Sequence, residues 1–317
     1  MTPDDGQGFV ALGPEKFRDL RVTADGSQRA SVALTALRTL WFNTGTLCNL
    51  TCHNCYIESS PTNDRLVYLS AAEVAAYLDE IAAENMNTEE IGFTGGEPFM
   101  NPDFMDMVVD ALARGFRVII LTNAMKPMMK VRGRLQEISA SARERLIIRV
   151  SLDHYDSETH ERERGPRSWQ PAVAGIDWLI ENRFTVHIAG RLPPNETETA
   201  TRAGYAQLFA AHEWPIDAEN PAELVLFPEM DAHRDVAEIT TACWGILKKS
   251  PESVMCASSR MVVKHKGAPA PVVAACTLLP YDPQFEMGRT LHEASRSVFL
   301  NHPHCARFCV LGGATCS

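Results

Sequence analysis

Residues 48–56 read Cys48-Asn49-Leu50-Thr51-Cys52-His53-Asn54-Cys55-Tyr56. Three thiolates at this C-x3-C-x2-C spacing can wrap one corner of a cubane iron–sulfur cluster. Three protein ligands leave the fourth iron open to a substrate or cofactor. The same spacing also suits a zinc knuckle with His53 as fourth ligand, or three buried cysteines. The residues around the stretch decide between these readings.

Upstream, Leu37 to Asn43 is an apolar strand candidate. Downstream, strand and helix patterns alternate. Ser70 with Glu73 forms a capping box that opens a helix to about Glu84. Glu90–Thr94, Phe116–Thr122, Leu146–Leu152, Phe184–Ala189 and Ala222–Phe227 read as strands. Asp103–Arg114, Met128–Arg143, Pro171–Asn182 and Thr199–His212 read as helices between them. About six β/α units predict an α/β fold: a partial (β/α)6 TIM-like barrel, short of the full eight. Such folds carry function on the loops after the strands, where the cysteine stretch falls.

This frame divides the chain into an N-terminal hairpin extension (1–36), the barrel (37–229) and a small C-terminal β-hairpin/loop domain (230–317). The extension pairs runs on either side of Ala24-Asp25-Gly26-Ser27, within Phe17–Leu34. The C-terminal hairpin pairs Arg260–Lys264 with Val272–Thr277 around Gly267-Ala268-Pro269.

Nine cysteines divide unevenly: three at 48–55, then none until Cys243, Cys256, Cys276, Cys305, Cys309 and Cys316. That split suggests two metal-binding regions. A net charge of −10 opposes a phosphate backbone, so no nucleic-acid partner is expected. No apolar run is long enough for a membrane span, and the first eight residues, with Asp4 and Asp5, lack a signal pattern. A cytoplasmic setting is therefore expected. Thiols stay reduced there, which favours metal ligation over disulfides.

Thr94-Gly95-Gly96-Glu97-Pro98 follows the next predicted strand, 40 residues after Cys55. Two glycines let a backbone approach a ligand closely, and Glu97 offers an acceptor to an ammonium group. Together the two motifs make the chain resemble the radical S-adenosylmethionine (SAM) superfamily across about residues 37–227. The resemblance implies a 4Fe–4S cluster on Cys48, Cys52 and Cys55 whose open iron chelates SAM. It implies that Gly95, Gly96 and Glu97 meet the SAM amino group. It further implies reductive cleavage of SAM to a 5′-deoxyadenosyl radical that abstracts hydrogen from a small-molecule or peptide substrate, leading to oxidation or cross-linking. An electron donor such as flavodoxin or ferredoxin is the implied partner.

At the later strand ends, Asn123, Ser151 and Asp153 match positions that contact SAM in similar enzymes. His160-Glu161-Arg162-Glu163-Arg164-Gly165 is similar to an H-x-R-x-R-G stretch, which gives Arg164 to the SAM carboxylate; an exposed salt-bridge face is the alternative. One departure stands out: Asn54 precedes the third cysteine, where the family often has an aromatic residue near the adenine. His154, Tyr155 and Arg191 are candidate substrate contacts at the barrel mouth.

Cys256 and Cys276 flank the C-terminal hairpin, so their thiols are expected to meet. The arrangement resembles the auxiliary-cluster domain called SPASM, or its shorter twitch form, with a C-x3-C pair where C-x2-C is commoner. Six cysteines fall short of the eight that two further cubanes take, so one auxiliary iron–sulfur cluster is expected on Cys256, Cys276, Cys305 and Cys309, with Cys316 the replacement ligand. Cys243 reads as a small buried hydrophobe. The alternative for the whole chain is a zinc- or iron–sulfur-stapled binding module without SAM chemistry.

Overall fold

The computed structural model describes residues 10–228 and 231–312, so Cys316 lies outside the described residues. Strand β1 (Ser31–Val32) precedes a run of six parallel strands: β2 (Thr39–Asn43), β3 (Glu90–Thr94), β4 (Arg117–Thr122), β5 (Leu146–Ser151), β6 (Thr185–Leu192) and β7 (Leu224–Pro228). They neighbour one another in chain order, as a partial (β/α)6 barrel requires. Their central residues are largely apolar: Val118, Ile119 and Ile120 of β4 are buried on both faces, and Leu146, Ile148 and Val150 of β5 on one, with buried Arg149 on the other. Parallel strands covered by helices need this pattern. In the helix Phe104–Ala113, buried Phe104, Met107, Val108, Ala111 and Leu112 form one stripe toward the sheet. Among the described residues no helix is long and apolar enough to cross a membrane.

The expected helix over 128–143 is three short ones, Lys126–Lys130, Arg132–Glu137 and Ala140–Arg143. Ser139 turns back to cap the last, its side chain accepting from Ala142 N at 3.3 Å. The N-terminal hairpin reduces to a turn with a single bridge, Val22 to Gln28. Beyond it the chain is taken up elsewhere: β1 pairs antiparallel with β11 (Val298–Phe299), and Arg29 is held by Glu238 at 2.6 Å.

The C-terminal hairpin forms as expected from β8 (Ser259–Val263) and β9 (Val272–Ala274), and β10 (Glu286–Gly288) adds a third antiparallel strand. This unit is continuous with the barrel sheet, because β8 lies parallel against β2, Leu40 opposite Arg260. The second group of cysteines is thereby fastened to the same sheet as the first.

Candidate functional site

The loop leaving β2 is shaped by backbone packing. Gly96 N donates to Gly45 O (2.8 Å) and Glu97 N to Leu47 O (3.1 Å), so the Gly-Gly turn lies flat against the start of the cysteine loop. A β-carbon on Gly96 would stand 2.2 Å from Leu47 O, which only glycine avoids. Cys48 N bonds Ser60 O at 3.1 Å and closes the loop at its far end. Within it, Leu50 N donates to Cys48 Sγ (3.4 Å) and Ser59 N to Cys55 Sγ (3.3 Å). Backbone donors to sulfur stabilise thiolate charge.

Cys48, Cys52 and Cys55 face a cavity of about 160 Å³ at the strand ends, and Gly95, Gly96, Asn123, Ser151, Asp153 and Arg164 line it with them. Of the cofactor residues expected from sequence, Glu97 alone is absent from the wall. It is 1% exposed, and its carboxylate is already engaged by Thr122 Oγ1 (2.7 Å), Asn123 N (2.8 Å) and Phe99 N (3.2 Å). Burial pushes its carboxyl up to about 7 against the pull of those donors. Glu97 thus ties the end of β3 to the end of β4 and sets the position of Asn123, whose Nδ2 reaches Asn49 Oδ1 at 2.9 Å.

Opposite the cysteines lies a buried charge group. Arg164, at the end of the helix Ser157–Arg164, contacts Asp153 with Nη2 on Oδ1 and Nε on Oδ2, each at 3.0 Å. Arg191 of β6 lies 3.5 Å from the same carboxylate. Burial works against ionising Asp153, but Arg164 and then Arg191 more than offset it and hold the carboxyl below its usual range. Two guanidiniums share one carboxylate, so the group carries net positive charge toward the cavity. Arg191 Nη1 is buried without a hydrogen-bond partner. His160 is wholly buried and accepts Asp153 N–H on Nδ1 at 3.2 Å, which gives the HxRxRG stretch an internal job and removes the exposed salt-bridge alternative for its His and last Arg.

Some expected contacts lie elsewhere. His154 and Tyr155 both turn to Glu196, at 3.0 and 3.3 Å, away from the cavity. Asn54 binds Glu163 at 3.0 Å, while Tyr56 supplies the aromatic wall, with the Arg191 guanidinium 5.0 Å from its ring centroid. Thr277 and Leu278 also line this cavity from the C-terminal unit. Sequence reading missed them; their one signal was adjacency to Cys276.

A second, narrow cavity is lined by Cys256, Cys276, Cys305 and Cys309 together with His304 and an apolar wall, and Leu278 belongs to both cavities. Cys305 and Cys309 sit one turn apart on a π-helical segment, Cys305–Leu311, so their C-x3-C spacing places both thiols on one side. Burial pushes the Cys256 thiol up to about 11 and Cys305 well above its usual value, with the nearby Cys276 and Cys256 adding to the latter. Cys243 is half-buried rather than fully buried and bonds Thr240 through its sulfur at 3.3 Å.

The donor sets fit iron–sulfur clusters. Burial raises Cys48 to about 12 and also raises Cys52; a metal draws such thiols down, because it binds the thiolate. The orphaned Arg191 Nη1 and the net positive charge suit a carboxylate in the first cavity. Among the described residues no three His, Cys, Asp or Glu side chains converge on a single ion. A cubane asks less, since each thiolate binds a different iron. The second cavity is the narrower of the two, at about 20 Å³, and four thiols share its wall.

The profile of the Radical SAM superfamily matches residues 42–201. Among curated proteins, the subtilosin biosynthesis protein AlbA of Bacillus subtilis is 29% identical over 182 residues, 57% of this chain and 38% of that protein. Mycofactocin maturase MftC of Mycolicibacterium smegmatis is 29% identical over 138 residues, 44% of this chain and 33% of its own. The chain thus spans well under two thirds of the length of the curated relatives it matches. Among solved structures, Streptococcus suis SuiB bound to its precursor peptide SuiA superposes with a TM-score of 0.58 at 12% identity, covering 81% of this chain and 63% of that one. The AdoMet-bound anSMEcpe structure gives 0.57 at 13%, covering 81% and 79%. At these identities the likeness is one of fold.

Proposed function

The chain belongs to the radical SAM superfamily, and from that premise we propose that it is an enzyme that cleaves SAM reductively and abstracts hydrogen from a peptide or small-molecule substrate. The observation that carries the reading is the first cavity, where three thiols, a glycine backbone and a net-positive Arg–Asp group face one another. Cys48, Cys52 and Cys55 would hold the 4Fe–4S cluster. When bound, the cluster and SAM supply a 5′-deoxyadenosyl radical.

The remaining work belongs to the chain. Gly95 and Gly96 present backbone to the SAM amino group, and Asn123 and Ser151 offer side-chain hydrogen bonds at the strand ends. Arg164, steadied by Asp153, takes the SAM carboxylate, and Arg191 adds the second cation. Tyr56 and Leu278 exclude water from the reacting centre. Cys256, Cys276, Cys305 and Cys309 hold one auxiliary cluster, reached from the substrate side through Thr277 and Leu278. An external electron donor of the flavodoxin or ferredoxin kind completes the reaction. A relative named for bacteriocin biosynthesis, and the like fold of SuiB with its precursor peptide, favour a peptide substrate for this chain.

The test is anaerobic iron and sulfide content with and without Cys48, Cys52 and Cys55 replaced by Ala, then reduction in the presence of SAM. About eight irons, falling to about four in the triple variant, with 5′-deoxyadenosine released by the parent alone, are the expected results. Zinc in place of iron and no deoxyadenosine would leave a metal-stapled binding module instead.

A further inference from the structure

Arg260 is 1% exposed and sits on β8, four residues after Cys256, which lines the second cavity. Its guanidinium donates to four backbone carbonyls: Ala294 O (2.8 Å), Cys256 O (2.6 Å), Ser259 O (2.7 Å) and Arg296 O (3.2 Å). These engage each of its three nitrogens but leave its charge uncompensated. Arg29 is equally buried, and there Glu238 stands 2.6 Å away. Arg164 and Arg191 share Asp153. Among the described residues no carboxylate pairs with Arg260. A buried cation with no anion is strongly unfavourable, and Nη1 of this one sits 2.6 Å from the Cys256 carbonyl, so the fold holds a place for negative charge beside that cysteine.

We propose that Arg260 is the built-in counter-cation of an anionic iron–sulfur cluster on Cys256, Cys276, Cys305 and Cys309, a positioning residue that fixes the Cys256 turn and raises the cluster's reduction potential. Four thiolates around a 2+ cubane carry a net charge of about 2−. Accepting one electron deepens that charge, and a fixed cation nearby favours the reduced state. The inference rests on the auxiliary-cluster reading above and adds what sets the cluster's redox poise.

The test uses the full-length chain with Cys48, Cys52 and Cys55 replaced by Ala, which leaves the auxiliary cluster's signal alone, titrated electrochemically and read by EPR. If this parent holds no iron–sulfur cluster, the auxiliary-cluster reading itself fails, before Arg260 is touched. In a parent that holds one, Arg260→Met is expected to lower the reduced-to-oxidised ratio at fixed potential about tenfold, equivalent to about 59 mV for one electron. Arg260→Lys, which keeps the charge and gives up the fork to the carbonyls, is expected to retain iron and a potential close to the parent's. An unchanged potential in an iron-replete Met variant overturns the proposal. So does loss of iron in the Lys variant, which would make the carbonyl contacts, and not the charge, the residue's role.

Discussion

The Arg164 guanidinium and the Asp153 carboxylate meet at two points, Nη2 on Oδ1 and Nε on Oδ2, both at 3.0 Å and both out of solvent. One residue lies just past the fourth barrel strand, β5, and the other ends the helix that follows, so the pair locks that β/α unit shut over the cysteines. Asp153→Asn leaves two buried guanidiniums against a neutral amide. Breaking a buried pair from one side costs about 3–5 kcal/mol, and denaturant unfolding of the metal-free protein should show a loss of that order. SAM binding to the loaded protein should partly restore stability, because its carboxylate replaces the missing charge. A variant as stable as the parent would show that the pair is not the lock.

Glu97→Gln tests whether that carboxylate positions or binds. An amide nitrogen must then face one of the donors from Thr122, Asn123 or Phe99. An unsatisfied buried donor costs about 1–3 kcal/mol. We expect a lowered melting temperature and SAM affinity reduced about tenfold, measured by equilibrium dialysis, as Asn123 shifts. Weakened affinity with unaltered melting would instead place Glu97 on the ligand.

Gly96→Ala puts a methyl group against Leu47 O at 2.2 Å. Both sides of this contact are backbone, so the cysteine loop must move as a unit. Overpacking of this kind costs about 1–3 kcal/mol, and the first cluster should be lost while the second persists, so that iron content falls by about half. Full iron content would show that the loop tolerates displacement.

His160→Asn should alter the acid limb of stability. Burial, then the Arg164 charge, lowers the imidazole pKa to about 4 from 6.5. Between those values the unfolded chain binds a proton that the folded chain refuses. Stability is therefore fully present above pH 6.5 and is lost as pH falls toward 4, by up to about 3 kcal/mol from this group. Asn has an oxygen to accept the Asp153 N–H but no proton to take up. Its stability, measured by urea titration from pH 7.5 to 4.5, should fall less steeply than the parent's, and parallel curves would remove His160 from the account.

Much of this was legible in sequence for physical reasons. Strand residues such as Val118–Ile120 announce burial on both faces, and the thiols of a short loop are held together by the chain itself. Spacing identifies a motif without giving the direction of a side chain, so the bonds that Phe99 N, Asn123 N and Thr122 Oγ1 make to the Glu97 carboxylate were not legible. For the same reason the sequence did not show that Glu163 draws Asn54 aside while Tyr56 lines the cavity. Thr277 and Leu278 were invisible because they reach the first cavity only through the fold. The N-terminal hairpin is cut short to its turn, because two residues, Ser31 and Val32, found partners far along the chain. Local turn chemistry says nothing of competitors that distant.

The pairing of β2 with β8 also bears on how the protein is made. Thr39 aligns with Ser259, so during translation β2 leaves the ribosome long before its second neighbour exists. Until then Leu40, Trp41 and Phe42 present an unpaired apolar edge, which invites aggregation. Non-local strand pairing of this kind also slows folding. The Cys48–Cys55 loop hangs from this strand, so the nascent chain has reason to wait for its last strands before it accepts iron.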